Sequence, residues 1–177
     1  MKHREIYEQI YADPRTYRGY GATNHGRHAY GLVEEINPFS IVDIGCGNNG
    51  FLHQLRDRHK WPEVRLCGVD FAHPLADVTA SATDLPFYDQ EYDLAVSFDC
   101  LEHLDPSEVD QALKEIRRVS RQFLFHIAYR DSVIRAPDGS TLHPTVQPEE
   151  WWIDQLHTAG ATEIQCRDEY LVGRWGR

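Results

Sequence analysis

Residues 41–50, IVDIGCGNNG, are the stretch that decides which fold the sequence predicts. Gly45, Gly47 and Gly50 follow the spacing G-x-G-x-x-G, which is typical of a loop that joins a strand to a helix and binds a nucleotide. Asp43 lies two residues before the first glycine, where its carboxylate would face whatever the loop binds. The stretch predicts a binding loop and leaves open whether it binds an anion or a cation.

On both sides of this loop, short apolar runs alternate with helical patterns. This alternation predicts an α/β fold, with a largely parallel sheet covered by helices. We expect a three-layer, Rossmann-like, seven-stranded sheet, mostly parallel with an antiparallel C-terminal strand, and helices on both faces. The predicted strands are 40–44, 64–70, 77–82, 92–98, 122–129, 162–168 and 169–175, and the predicted helices are 48–60, 105–119 and 148–160.

The length of 177 residues suits one domain. We expect a single domain, 1–177, with an N-terminal cap segment over 1–30 and the ligand-binding core over 31–177. Two segments fall outside the alternating pattern. Residues 11–30 are rich in Tyr, Gly and His, and residues 130–147 are polar.

Charge and composition exclude several classes of protein. The net charge of −10 argues against charge-driven binding to nucleic acid, which requires a basic surface. No apolar stretch approaches the roughly 18 residues of a membrane span, and no signal peptide is visible at the N-terminus. The four cysteines are widely separated, as expected of free thiols in a reducing compartment, so we expect a cytoplasmic protein.

Asp70 ends the second predicted strand, 20 residues after Gly50, where it could accept hydrogen bonds from ribose hydroxyls. Both a dinucleotide and S-adenosylmethionine contain such a ribose. A dinucleotide would place negative phosphates near Asp43, whereas S-adenosylmethionine would place positive groups there. One charge pair at about 4 Å is worth roughly 4 kcal/mol at an effective dielectric constant near 20, so Asp43 favours the cationic ligand.

Three sequence blocks together resemble the class I S-adenosylmethionine-dependent methyltransferases. They are VDIGCGNNG (42–50), GVD (68–70) and ATDLPFYDQEYDLAVSFDCLEHL (82–104). Within this superfamily the likeness is closest to the subgroup that includes quinone-biosynthesis enzymes, and it runs over residues 40–129. One position departs from the pattern, because Asn49 stands where the family often has glycine. We expect the neighbouring Gly50 to supply the missing backbone freedom.

The resemblance also implies which residues bind the cofactor, S-adenosyl-L-methionine. Asp43, Gly45 and Gly47 would hold its methionine portion, and Asp70 its ribose. Asp84 would accept a hydrogen bond from the adenine amino group, and Leu85 would pack on the ring. The full implied set is Asp43, Gly45, Cys46, Gly47, Asp70, Phe71, Thr83, Asp84, Leu85, Phe98 and Asp99.

The sequence gives less information about the residues that would bind the methyl acceptor. His126 and His143 are the candidate general bases, and the substrate-pocket candidates are Tyr17, Tyr20, His25 and Tyr129. His25 and His28 form H-x-x-H, but no third ligand is visible nearby, so we expect no metal site. The resemblance implies that Glu102 and His103 support the floor of the site and take no direct part in the chemistry.

These features predict in-line methyl transfer, in which the protein mainly aligns donor and acceptor. The sequence lacks the N-P-P-Y and P-C motifs of nucleic-acid methyltransferases, so the expected acceptor is a small molecule or a small group of a larger metabolite. Three alternatives stay open: a non-catalytic cofactor-binding subunit, an enzyme that uses the cofactor for another reaction, and a dinucleotide oxidoreductase. The sequence predicts neither membrane association nor an oligomeric state.

Overall fold

The central element of the fold is a sheet of seven strands. The computed structural model describes residues 2–13, 15–17, 20, 25–59 and 63–176, with only the main chain of residues 2, 3, 25 and 59. The strands are β1 (Ser40–Ile44), β2 (Arg65–Asp70), β3 (Val78–Thr79), β4 (Tyr92–Phe98), β5 (Ser120–His126), β6 (Ala161–Arg167) and β7 (Tyr170–Trp175). The helices are α1 (Lys2–Ala12), α2 (Tyr30–Ile36), α3 (Gly50–His59), α4 (Val109–Val119) and α5 (Glu149–Thr158), with short 3₁₀ turns at His25–His28 and Leu101–His103.

The strand order is β3-β2-β1-β4-β5-β7-β6. All pairings among β1 to β5 are parallel, whereas β7 is antiparallel to both β5 and β6. The predicted fold class, including the antiparallel C-terminal strand, is therefore confirmed. Because β1 pairs with β2 on one side and β4 on the other, the chain changes direction across the sheet at this point. Ligands of such sheets bind beyond the carboxyl ends of these strands.

Helices cover both faces of the sheet, and alternate residues of β1 show this division. Ile41 packs in a cluster with α2 and α3, while Val42 and Ile44 pack in a second cluster with α4 and α5. All five residues of β1 are buried, as expected of a parallel strand covered on both faces.

Helix α4 follows the predicted period but begins later than predicted. Its buried face consists of Val109, Ala112, Leu113, Ile116 and Val119. The helix begins at Val109 rather than at 105, because residues 106–108 form a turn in which the Glu108 amide donates to the carbonyl of Asp105 at 2.8 Å. Glu108 therefore holds the N-cap position of α4.

A third apolar cluster joins α1 and tyrosines of segment 11–30 to segment 130–147. Tyr7 and Ile10 of α1 pack against Ala136 and Leu142, which belong to segment 130–147. The sequence analysis did not predict α1 or α2. Across the described residues, no helix combines the length and apolar character that crossing a membrane requires.

Candidate active site

A cavity of about 340 Å³ lies at the carboxyl ends of β1, β2 and β4. Its floor comes from these strand ends and from the glycine loop after β1. Its other walls come from Tyr7, Tyr11 and Tyr20 on the N-terminal side and from residues of segment 130–147. The cavity thus lies where the strand order predicts a ligand site.

The glycine loop turns sharply beneath this cavity. Gly45 and Gly47 have φ angles of +78° and +51°, a region that glycine adopts without steric cost. The amides of Gly45 and Cys46 both donate to the carbonyl of Val69, at 2.8 and 3.0 Å, which ties the loop to β2. A Cβ at position 45 would collide with Cys100, so the loop approaches its neighbours as closely as a glycine permits.

Asn49 supplies the backbone conformation that the sequence analysis expected from Gly50. Its φ of +62° is left-handed, and asparagine tolerates this region better than most residues. The side chain is buried, and its Nδ2 donates to the carbonyl of Leu75 at 2.9 Å. Gly50 instead is the first residue of α3. Asparagine therefore adopts here a left-handed conformation of the kind that glycine adopts readily.

Asp43 gives the cavity a buried acid. Its side chain is only 3% exposed and lines the cavity beside Gly45 and Gly47. Burial, and secondarily the negative charge of Asp70, raise its pKa to about 8. A positively charged ligand in the cavity would offset both effects and favour the ionised carboxylate.

Asp70 organises the main chain around the same cavity. One carboxylate oxygen accepts from the amide of Gly47 at 3.2 Å. The other accepts from the amides of Ala72 and His73, at 2.9 and 2.8 Å. Asp70 therefore connects the end of β2 to the glycine loop while its side chain lines the cavity.

At the end of β4, Phe98 and Asp99 form the opposite wall. The Phe98 ring meets the Phe51 ring edge-on, with centroids 4.7 Å apart. Asp99 adopts a left-handed backbone with φ of +49°, and its amide donates to the carbonyl of His126 at 3.0 Å. Both side chains line the cavity.

The N-terminal side of the cavity is a cluster of aromatic rings. Tyr7 contacts the rings of Tyr11, Tyr20, Phe71 and His103, with centroids 5.0 to 6.3 Å apart. Burial raises the pKa of each of the three tyrosines well above the ordinary value, so their hydroxyls are neutral. The cluster offers an apolar wall that carries neutral hydrogen-bonding groups.

The structure brings together ten of the predicted site residues around the cavity: Asp43, Gly45, Cys46, Gly47, Asp70, Phe71, Phe98, Asp99, Tyr20 and His143. Among the described residues that were predicted, six do not line it: Thr83, Asp84, Leu85, Tyr17, Tyr129 and His126. Leu85 is buried beneath α4, where its amide donates to Glu115 at 2.9 Å, and Asp84 is exposed. The side chain of His25 lies outside the described residues.

Sequence analysis missed several residues of the cavity wall, notably Tyr7, Tyr11 and Arg130. One signal was available for the first two. Tyr7 and Tyr11 are four residues apart, and Ile10 lies three after Tyr7, which is the spacing of one helix face. For Arg130 no such local pattern exists, because an irregular segment carries it.

Comparison with known proteins agrees with this architecture. A model of the methyltransferase domain family matches residues 42–123. No match was found among curated protein sequences.

Solved structures share the fold at low sequence identity. A Burkholderia thailandensis 1,6-didemethyltoxoflavin-N1-methyltransferase, solved with 1,6-didemethyltoxoflavin and S-adenosylhomocysteine, superposes with a TM-score of 0.70. It is 16% identical, over 98% of this chain and 87% of its own. A Haemonchus contortus phosphoethanolamine N-methyltransferase gives a TM-score of 0.70 at 15% identity, over 93% of this chain and 46% of its own.

A candidate O-methyltransferase of Nostoc punctiforme gives a TM-score of 0.66 at 18% identity, over 85% of this chain. This chain spans only 56% of the Nostoc protein's length. The domain match and the shared fold agree with the glycine loop, the acidic strand ends and the strand order. Residues 42–123 match the methyltransferase domain family, and the chain has the Rossmann-like fold of the class I S-adenosylmethionine-dependent methyltransferases.

Proposed function

We propose that this protein methylates a small molecule, or a small group of a larger metabolite, which it binds between the glycine loop and the aromatic N-terminal wall. The observation that carries this proposal is the cavity itself. Acidic strand ends form its floor, and α1, segment 11–30 and segment 130–147 form its walls. The family model and the solved structures named above include no quinone-biosynthesis enzyme, so we propose no quinone acceptor.

The residues of the floor suit the cofactor. The buried carboxyl of Asp43 would face its positive groups, and Asp70 would accept from its ribose. The close approach of Gly45 to Cys100 keeps the loop free of side chains where the ligand would lie. When bound, S-adenosylmethionine supplies a methyl carbon made electrophilic by the positively charged sulfur.

The protein's own contribution would be alignment and exclusion of water. Tyr7, Tyr11 and Tyr20 would bury one side of the acceptor, and their neutral hydroxyls could orient it by hydrogen bonds. Of the two histidines predicted as general bases, His143 lines the cavity and could contact an acceptor. His126 lies behind Asp99, with its Nδ1 3.2 Å from the Asp99 carboxylate, and would act only through that residue.

Two measurements test the proposal. Calorimetric titration with S-adenosylmethionine and with NADH should show binding of the first and not the second, and preference for NADH would overturn it. Transfer of a labelled methyl group into a fractionated small-molecule extract should then give a labelled product. A protein that binds the cofactor but labels no fraction would instead be a non-catalytic subunit.

A further inference from the structure

Outside the predicted cofactor contacts, one group of side chains stands out for its chemistry. Glu102, His103 and His143 each place a possible metal-ligating atom so that all three atoms lie within 4.8 Å of one another. Glu102 and His103 belong to the 3₁₀ turn after β4, and His143 belongs to segment 130–147. His103 and His143 also line the cavity.

The burial of Glu102 is independent evidence that this group of side chains binds a cation. Its side chain is fully buried, and among the described residues neither carboxylate oxygen has a hydrogen-bond partner. A buried carboxylate without compensation is costly and ordinarily pairs with a cation or binds a metal.

The main chain holds both histidines in a form suited to metal binding. His103 Nδ1 lies 2.6 Å from the carbonyl of Leu142, and His143 Nδ1 lies 2.7 Å from the carbonyl of Arg130. A carbonyl can only accept, so each Nδ1 carries the proton, and the Tyr7 hydroxyl, 2.7 Å from His103 Nδ1, is a second acceptor for the proton of that ring. In this tautomer Nε2 is the nitrogen of each ring that can bind a metal. The same arrangement orients metal-binding histidines in proteins generally.

The spacing is close to that of a formed site. With metal–nitrogen bonds of about 2.1 Å, two ligand atoms lie about 3.4 Å apart in tetrahedral geometry and about 4.2 Å apart when opposite each other. The observed limit of 4.8 Å therefore requires the ligand atoms of a tetrahedral site to close by up to about 1.4 Å. Side-chain rotation of His143, which an irregular segment carries, would provide this movement.

We propose that Glu102, His103 and His143 bind one divalent metal ion of the zinc type, and that this ion binds a hydroxyl oxygen of the methyl acceptor. Two imidazoles and one carboxylate favour Zn²⁺, Co²⁺ or Mn²⁺ over Mg²⁺, which prefers oxygen ligands. Three protein ligands leave a coordination position open toward the cavity.

The role assigned to the acceptor rests on the proposed function and narrows it to oxygen methylation. A hydroxyl bound to the ion loses its proton to water more readily, and the oxygen keeps the electron pair. That pair forms the new bond to the methyl carbon, while the electrons of the carbon–sulfur bond stay with sulfur. His143 would then be a metal ligand, and the acidifying effect of the ion would replace a general base.

The test uses Co²⁺ added to chelator-treated, full-length protein, followed by calorimetry and visible absorption. We expect about one equivalent to bind, with absorption bands of Co²⁺ held by nitrogen and oxygen ligands, and Zn²⁺ should displace it. Glu102→Gln and His143→Gln should each weaken Co²⁺ binding at least about tenfold. His53→Gln, an exposed histidine on α3, should bind Co²⁺ as the unchanged protein does.

The variants also separate metal binding from folding. Glu102→Gln replaces the buried carboxyl with a neutral amide of the same shape and should unfold, without metal, at a temperature no lower than the unchanged protein. It should lose the rise in melting temperature that Co²⁺ gives the unchanged protein. His143 lies in an irregular segment, so we expect His143→Gln to fold. This variant therefore tests metal binding even if substitution of Glu102 prevents folding.

Different outcomes bear on the two proposals. Absence of Co²⁺ binding, or equal binding by all variants, would overturn the metal site and leave the methyltransferase proposal standing if the cofactor still binds. Metal binding that depends on Glu102 and His143 would support the site even if no methyl transfer is found. Methylation of a nitrogen or carbon acceptor at full rate after chelation would overturn the role assigned to the ion.

Discussion

Asp99 and His126 face each other across the ends of β4 and β5, with 3.2 Å between the Asp99 carboxylate and the His126 Nδ1. The main chain reinforces the pair, since the Asp99 amide donates to the carbonyl of His126 at 3.0 Å. Asp99 takes a left-handed backbone to do so, at a cost of roughly 1–2 kcal/mol for a residue with a side chain. This unfavourable backbone conformation places the Asp99 carboxylate at the cavity.

Replacement of Asp99 by asparagine should lower the pKa of His126. Burial alone lowers the pKa of this imidazole, and the nearby carboxylates of Asp99 and, to a lesser extent, Glu169 outweigh burial to raise the pKa above 6.5. The titration of the His126 ring, followed by NMR, measures the change directly. Glu169→Gln serves as the comparison. Because Glu169 is half exposed and 3.6 Å away, its removal should shift the titration less. An unchanged titration in Asp99→Asn would show that the pair does not interact in solution.

Asp43 predicts a pH dependence of stability. Its pKa rises from 3.8 to about 8 on folding, so between these values the folded protein retains a proton that the unfolded chain has released. Stability should therefore fall as pH rises through this range, by at most about 1.4 kcal/mol per pH unit. Asp43→Asn should remove this component. Urea unfolding of both proteins at pH 5 and pH 8 measures it, and parallel pH curves would refute the assignment.

The same acid predicts how cofactor affinity changes with pH. A cationic ligand prefers the ionised carboxylate, so its binding should release a proton from Asp43 below about pH 8. Affinity for S-adenosylmethionine should rise with pH up to that value, by at most about tenfold per unit. Calorimetry in buffers of different ionisation enthalpy counts the released proton, and Asp43→Asn should bind with no such release.

Asp70→Asn tests the predicted contact with the ribose. The substitution keeps the size of the side chain but removes the charge that three main-chain amides and the predicted ribose hydroxyls share. We expect cofactor binding to weaken by about 1–3 kcal/mol, measured by calorimetry. Asp57→Asn, at an exposed position of α3, is the matched loss of one negative charge and should leave the affinity unchanged. Equal affinities of Asp70→Asn and the unchanged protein would exclude Asp70 from binding.

Gly26 and Gly31 differ in the space that is available for an added Cβ atom. A Cβ on Gly26 would lie 2.6 Å from the Phe98 ring and 2.7 Å from the Phe51 ring, so Gly26→Ala should cost about 1–3 kcal/mol. A Cβ on Gly31 would have no atom within 4 Å, so Gly31→Ala in α2 should stabilise the protein by about 0.5–1 kcal/mol. Urea denaturation midpoints of both variants give the comparison. Similar values for the two would mean that the rings move aside freely.

Much of the fold could be predicted because its signals are local. β1 and β4 have the bounds that their apolar runs predict, and α4 has the buried face that its period predicts. Where prediction erred, the competing interaction was also local. The turn at 106–108 delays α4, and Asn49 adopts the left-handed turn that was assigned to Gly50.

The walls of the cavity could not be predicted, because they depend on contacts between distant parts of the chain. The Tyr7 hydroxyl lies 2.7 Å from the His103 ring, 96 residues along the sequence. Glu102 and His143 are likewise far apart along the sequence and come together only in the tertiary structure. The histidine motif at 25–28 drew attention in the sequence, whereas the group with metal-binding geometry has no compact motif.

The sequence by itself determined the sheet, the glycine turn and the acids at the strand ends. Each depends on backbone conformation and on residue spacing within a few positions. Only the tertiary structure decided that α1 and segment 130–147 enclose the cavity, and that Glu102 is buried beside two histidines. These arrangements follow from packing apolar surfaces that are remote along the chain, and no short stretch of sequence encodes such packing.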